Sequence, residues 1–442
     1  MKIQLSDHFT YKKLLRFTLP SIVMMIFTSI YGVVDGLFVS NFVGKTAFSA
    51  VNFIMPFLMI LGAAGFMFGT GGGALIAKTL GEGKRTEANR LFSLIVYVSL
   101  ACGCLLTILG FIVIRPLAAA LGAAGQLLED SVLYGQVSLL AVPAFILQYE
   151  FQCLFAVAEK PTLGLSVTVA DGVTNMVLDA IFVGGLDWGI AGAAAATALS
   201  QCVGGILPLV YFARPNDSLL RLGRTAYEGR LLGKACLNGA SELMSNLSMS
   251  LVNMLYNVQL LRYAGEDGIA AYGVLMYVSL VFQAVFIGYS VGAAPIVSFQ
   301  YGAQNRGELR GLRKKSFLLI AVFSGLMFAA SYGLAGPLSF VFAGYDQALY
   351  GMTVHAFYLF AVSFLFSGYA IFGSAFFTAL NDGPVSAAIS FLRTLVFQVI
   401  AILALPLVWE LDGIWLATAA AEVLAAAVTA GFLYGKRKKY HY

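Results

Sequence analysis

The chain has 442 residues, 60% of them apolar and only 11% charged, with a mean hydropathy of +0.85. Soluble proteins carry about 25% charged residues, so a chain this apolar has too few polar groups to cover a water-facing surface. It reads as an all-α polytopic membrane protein embedded in a lipid bilayer. The net charge of +5 at pH 7 is no nucleic-acid footprint and excludes nucleic acid as a partner.

The N-terminal stretch "MKIQLSDHFTYKK" is polar, and the apolar run behind it is too long for a signal-peptide core, so no cleavage is expected. A helix needs about 20 apolar residues to cross a bilayer. Runs of that kind lie at 14–42, 47–79, 91–115, 131–157, 162–185, 188–212, 235–263, 268–300, 313–335, 351–378, 384–408 and 412–434. They predict twelve transmembrane helices. The basic residues fall on one side of them, in the N-terminus, the loops "LGEGKRTEANR" (80–90), "RPNDSLLRLGRTAYEGR" (214–230) and "NRGELRGLRKK" (305–315), and the tail "KRKK" (436–439). The other side has only Lys45, Arg115 and Arg262, a bias of 24 to 3. The positive-inside rule then places both termini in the cytoplasm.

The two halves resemble each other. A shift of 221 lays Gly44 on Gly265, Ala50 on Ala271, Met55 on Met276, Gly71 on Gly292 and Gly81 on Gly302, and "GEGKRTEANRL" on "GAQNRGELRGL". Near the end of each half "GLDWGIAGAAAAT" falls on "ELDGIWLATAAAE" with a shift of 225. The expected organisation is a six-helix lobe over 1–212, a cytoplasmic linker over 213–234, and a second six-helix lobe with a basic tail over 235–442. Because six is even, the repeats are parallel and their pseudo-twofold axis runs along the membrane normal. Two such bundles around a shared cavity form an alternating-access layout. A receptor has no need of that symmetry.

Ionisable residues inside spans are costly and point to function. The acids there are Asp35, Glu150, Asp171, Asp179, Glu242 and Glu422, with Arg393 as the basic residue at depth. Asp35 and Asp179 lie at similar depth in the outer halves of spans 1 and 5. Asp171, Asn175 and Asp179 are spaced i, i+4, i+8 and share one helix face, and Thr197 sits at similar depth on span 6. This oxygen set suits a hard cation. Equally, two buried carboxylates suit one shared proton, because like charges disfavour joint ionisation. The rival reading is that these groups hydrogen-bond helices together. Glu150, Glu242 and Glu422, and similarly Asp171, either touch a cationic substrate or bond a neighbouring helix. Arg393 either snorkels to headgroups or neutralises one of the inner acids.

Cys102, Cys104, Cys153, Cys202 and Cys236 all lie in apolar segments and read as packing residues, with no disulfide or metal-ligand framework. "GTGGGALIAKTLGEG" (69–83) lacks a GxxxxGK[ST] match. Without a nucleotide site or cofactor, the energy for transport is expected from a gradient of H+ or Na+. No convergent His, Cys or Ser–base set marks an enzyme.

At "LPSIVMMIFTSIYGVVDGLFVSNFVG", "GTGGGALIAKTLGEGKRTEANR", "TNMVLDAIFVGGLDWGIAGAAAATALSQ" and "VGAAPIVSFQYGAQNRGELR" the chain resembles the multidrug and toxic compound extrusion (MATE) family, in its DinF-like or MepA-like branch. The resemblance covers essentially the whole chain. It implies a monomeric exporter of lipophilic, mostly cationic small molecules from the cell, driven by inward H+ or Na+, in the plasma (inner) membrane of a prokaryote. It also implies an ion site formed by Asp35, Asn175, Asp179 and Thr197, and a cavity lined by spans 1, 2, 7 and 8. The family's other branch uses a Glu on span 7 and an Asp on span 10. Here span 10 has no acid, and Glu242 stands about two turns too early. The nearest alternative is a flippase of lipid-linked oligosaccharides from the same superfamily, which would want several Arg or Lys in its cavity.

Overall fold

The computed structural model describes residues 3–43, 45–344 and 346–442, and all regular structure among them is helical. We number the spans α1–α12. α1 is Tyr11–Phe38, and α2 is Lys45–Met67 continued through a π-helical turn, Phe68–Gly72, into Gly73–Gly81. α3 is Arg85–Ala120, α4 is Gly125–Leu140 with Val142–Val157, α5 is Pro161–Asp179 with a π-helical end, Ala180–Gly185, and α6 is Gly189–Ala213. α7 and α8 together occupy Gly229–Gly302, and α9 is Arg306–Ala343. α10 is Gln347–Ala361 with Phe364–Ala379, α11 runs from Gly383 to Ala404 through a π-helical stretch at Leu392–Val396, and α12 is Pro406–Tyr440.

At 1.5 Å per residue a straight helix over Gly229–Gly302 would be several bilayers long. It is folded at Gly265, whose φ of +66° suits a residue without a Cβ. The two arms run antiparallel, with Tyr256 stacked on Tyr272 at 4.8 Å and the Tyr272 hydroxyl donating to Asn253 Oδ1 at 3.1 Å. This fold-back completes twelve transmembrane helices in two six-helix bundles. Large apolar side chains such as Ile108 and Ile112 are 60% and 67% exposed, the pattern of a lipid-facing surface. Most helices outrun the apolar stretches, as α3 shows by spanning Arg85–Ala120 rather than 91–115, because an amphipathic end continues through the headgroup layer.

The repeat recurs in three dimensions. α4 is bent by 61° between Leu140 and Val142, and α10 by 49° between Ala361 and Phe364. The shift of 221 lays one bend on the other. At the end carrying the basic loops, hereafter the basic end, the bundles meet through residues too small to hold them apart. A Cβ on Gly81 would stand 2.0 Å from the Phe299 carbonyl oxygen, and one on Gly302 would stand 2.1 Å from that of Lys78. These two contacts exchange under the same shift. So do Gly71 against Gly239 and Gly292 against Thr18. Of the repeat positions, Gly44 lies outside the described residues.

The linker is ordered along α3. Arg221 N donates to Asn89 Oδ1 at 2.7 Å, Gly223 N to Ser93 Oγ at 3.0 Å, and Leu220 is fully buried. The N-terminal segment spans the seam between bundles. Leu5 N donates to Glu159 Oε1 at 2.6 Å, while Gln300 Nε2 donates to Leu5 O at 2.9 Å. Phe9 N donates to Glu308 Oε1 at 2.9 Å, and His8 Nδ1 lies 2.6 Å from Glu308 Oε2. Leu5 and Phe9 are buried among C-terminal-half residues. The segment therefore straps the basic end shut. Deleting residues 3–9 should shift the spin-label distance distribution between positions 83 and 304 toward longer separations. An unchanged distribution would show that the strap carries no share of the closure.

Candidate functional site

α5 is built inside out. Its buried face is Gly164, Thr168, Asp171, Gly172, Asn175 and Asp179, whereas Val173, Val177 and Ile181 are 47%, 50% and 46% exposed. In lipid the apolar side faces outward and polar groups can only be accommodated inward. The helical period thus turns three polar residues toward α1, α4 and α6.

At the end away from the basic loops, Asp35 on α1 meets this face. Asp35 is 7% exposed and Asp179 fully buried. The Asp35 carboxyl lies against the Asp179 carboxyl and the Asn175 carboxamide. Asn175 Nδ2 donates weakly to Thr197 Oγ1 at 3.5 Å. Among the described residues, Asp35 Oδ1, Asn175 Oδ1 and both oxygens of Asp179 have no hydrogen-bond donor. Two ionised carboxylates are both acceptors, so neither satisfies the other. One proton between them makes a donor and an acceptor. Among the described residues, neither acid is ion-paired with a Lys, Arg or His.

Tyr134 on α4 was not singled out from the sequence. It is 1% exposed, its hydroxyl has no hydrogen-bond partner among the described residues, and it stands near Asp35, Asp179 and Thr197. An aromatic residue in an apolar helix carries no mark of this role, since which neighbours it meets depends on how α4 packs against α1, α5 and α6.

The other ionisable residues lie apart from this cluster. Gln148 Nε2 donates to Asp171 Oδ2, with Ser200 in reach. Glu150, fully buried, accepts from Ser99 Oγ. Arg393 grips Glu422 through both carboxylate oxygens, Nε to Oε1 at 3.0 Å and to Oε2 at 2.9 Å, with a further contact from Nη2 at 2.9 Å. Of the two readings left open for Arg393, the geometry is that of neutralising an inner acid. Glu242 is half-buried, with Arg393 as its charged neighbour in its own bundle and Cys153 facing it from the other.

Among the described residues, no cluster of three or more His, Cys, Asp and Glu could hold a metal ion. The carboxylates, carboxamide and hydroxyl at Asp35, Asp179, Asn175 and Thr197 match in kind the oxygen donors of a hard cation.

The MatE family model matches residues 20–181 and 243–403, once in each half. The multidrug export protein MepA of Staphylococcus saprophyticus is 22% identical over 406 residues, covering 92% of this chain and 88% of its own. That of Staphylococcus aureus is 24% identical over 368 residues, covering 81% and 80%. The fold is shared with a multidrug resistance MATE transporter in an outward-facing conformation, with a TM-score of 0.92, 23% identity and coverage of 99% and 97%. It is also shared with a MOP-superfamily transporter from Pyrococcus furiosus described by a binding pocket of reversed polarity, with a TM-score of 0.90, 23% identity and coverage of 98% and 96%. With one copy of the family pattern in each half and the fold common along nearly the whole length, the chain belongs to the MatE family and is a membrane transporter, not an enzyme.

Proposed function

We propose that the protein is an H+- or Na+-coupled antiporter that exports lipophilic, mostly cationic compounds by alternating access. The observation that carries this is the pair Asp35 and Asp179, two buried carboxyls face to face, with Asp35 Oδ1 and both Asp179 oxygens lacking donors among the described residues. In the coupling cycle an ion from the far side neutralises the pair, with Asn175 and Thr197 as further ligands. Once the repulsion is gone, α1 and α5 pack closely, and a cation bound between the bundles is released outward. On return the site opens toward the basic end and unloads. The reading places both termini in the cytoplasm of a prokaryotic plasma membrane, lobes at 1–212 and 235–442 around the linker 213–234, and a single chain as the working unit. It is supported by the names of the MepA relatives. The test is drug uptake into proteoliposomes under an imposed gradient of H+ or of Na+. Transport indifferent to both would sink the coupling.

Topology has its own check. Cysteines at 83 and 304 should label from the cytoplasm and one at 45 from outside. Opposite-side labelling of 83 and 304 would overturn the parallel arrangement.

A lipid-linked oligosaccharide flippase is the second reading, and the Pyrococcus neighbour of reversed pocket polarity makes cargo sign the point to test. Arg393 is occupied by Glu422 and is not offered to an anionic headgroup. Glu242, half-buried and turned toward the other bundle, is the acid best placed to meet cargo. Lipophilic monocations should therefore be carried better than isosteric anions, and Glu242→Gln should narrow that preference about tenfold, the worth of about 1.4 kcal/mol, without abolishing transport. Equal transport of anionic analogues by the unaltered protein would reject the cationic cargo.

A further inference from the structure

We infer that Asp171 is a second proton-carrying carboxyl of the N-terminal bundle, separate from Asp35 and Asp179, and that it hands the coupling proton from that pair toward the basic end through the interior of the bundle. The inference rests on the coupling role proposed for Asp35 and Asp179.

Asp171 is fully buried, and its Oδ1 has no hydrogen-bond donor among the described residues. It lies two helical turns from Asp179 on the same face of α5, roughly 12 Å nearer the basic end at 1.5 Å per residue. Tyr31, one turn before Asp35 on α1, bridges that gap. Its hydroxyl reaches Gln148 and stands near both Asp171 and Asp35. Around Asp171 the other polar groups are Ser200 on α6 and Tyr149 on α4. Beyond it, Gln148 and Gln152 stand one turn apart on α4. With Thr168, Gly164 and Pro208 they line a crevice too tight for a water molecule. Gln152 is 5% exposed, and among the described residues neither the nitrogen nor the oxygen of its amide has a partner, nor has Gln148 Oε1. Unsatisfied buried polar atoms are rare and call for an explanation. Here they form a track from the carboxyl pair toward the basic end, inside one bundle.

A purely structural role does not require an acid. Asn at 171 would accept from Gln148 equally well and would carry no charge into the bilayer. In the transfer, Tyr31 turns between the two sites, taking a proton from the pair on its oxygen and giving up its own hydroxyl proton to Asp171 Oδ1, which has no donor before the turn. The pair loses one proton, Asp171 gains one, and no electrons move. A hopping Na+ would need several oxygen ligands at each stop, whereas a proton needs one lone pair at a time.

The experiment compares Asp171→Asn and Asp171→Glu in proteoliposomes, with drug binding measured on the same preparations. A proton station predicts that Asn, isosteric but not ionisable, binds drug normally and loses proton-driven export by about a hundredfold, within the range for a lost acid–base group, while Glu retains a substantial part. A structural role predicts the opposite order, Asn tolerated and the longer Glu disruptive. Gln152→Leu, which closes the track with an apolar side chain, should slow export without weakening binding. Wild-type export by Asp171→Asn overturns the inference, as does transport driven by a Na+ gradient alone. If Asp35→Asn and Asp179→Asn also export normally, the coupling role itself has failed. If only Asp171→Asn does, this inference alone falls.

Discussion

Asp35→Asn and Asp179→Asn should each insert and fold normally, bind drug, and lose gradient-driven export by about a hundredfold or more, on the scale of a missing proton-transfer group. Asparagine keeps the size of aspartate and removes the charge, so each variant imitates the loaded site permanently. In the native pair, Asp35 Oδ1 and both Asp179 oxygens are buried without donors, an arrangement that opposes closure of α1 on α5 while both groups are ionised. Neutralising either acid removes that opposition in every step of the cycle. A ligand shifts a conformational equilibrium only by its differential affinity for the two states, and a site that is always neutral has no such difference left for the ion. Thermal stability should hold or rise, because an uncompensated buried charge is gone. The measurement is drug export under an imposed gradient at equal membrane expression, beside drug binding in detergent. Wild-type export by either variant would remove that residue from the coupling site. Tyr134→Phe tests the neighbour that the structure adds. Without its hydroxyl beside Asp35, Asp179 and Thr197, coupled export should fall by several-fold, about the worth of one hydrogen bond that the hydroxyl can offer only once the ion is loaded, while binding stays intact.

Arg393→Leu should be the most destabilising of the single changes considered. Its guanidinium holds Glu422 by both carboxylate oxygens, with the side chains 14% and 3% exposed. Removing one partner of a buried pair leaves the other charge uncompensated, at a cost of about 3–5 kcal/mol. Replacing both partners at once with apolar residues of similar volume is often close to neutral. Arg393→Leu alone should lower the melting temperature in detergent markedly, and Glu422→Leu added to it should recover most of the loss. Arg393 sits in the π-helical stretch Leu392–Val396 of α11, where the widened helical turn aims it at α12. If the single variant melts with the native protein, the pair contributes nothing to holding α11 against α12. If it melts early and the double variant earlier still, both residues matter through packing rather than charge.

What the chain order alone determined follows from local physics. Bilayer thickness sets the length of an apolar run, so twelve spans could be counted, including α7 and α8 as separate helices where backbone geometry joins Gly229–Gly302 across the turn at Gly265. The 3.6-residue period turns Asp171, Asn175 and Asp179 to one face wherever α5 is placed, and that face is the buried one. The shift of 221 foretold that the halves would repeat, and the exchange of the Gly81 and Gly302 contacts follows it. What the tertiary structure alone decided are the relations between helices, which depend on rotation and bending that no single segment encodes. That Asp35 faces Asp179, that Tyr134 joins them, and that Arg393 chooses Glu422 while Glu242 stays half-buried nearby could not be read from spacing. Nor could the N-terminal strap, in which a polar segment buries Leu5 and Phe9 and ties Glu159 to Gln300 and Glu308. Periodicity is a property of one helix. A contact across a seam belongs to two, and it exists only once packing has fixed how they meet.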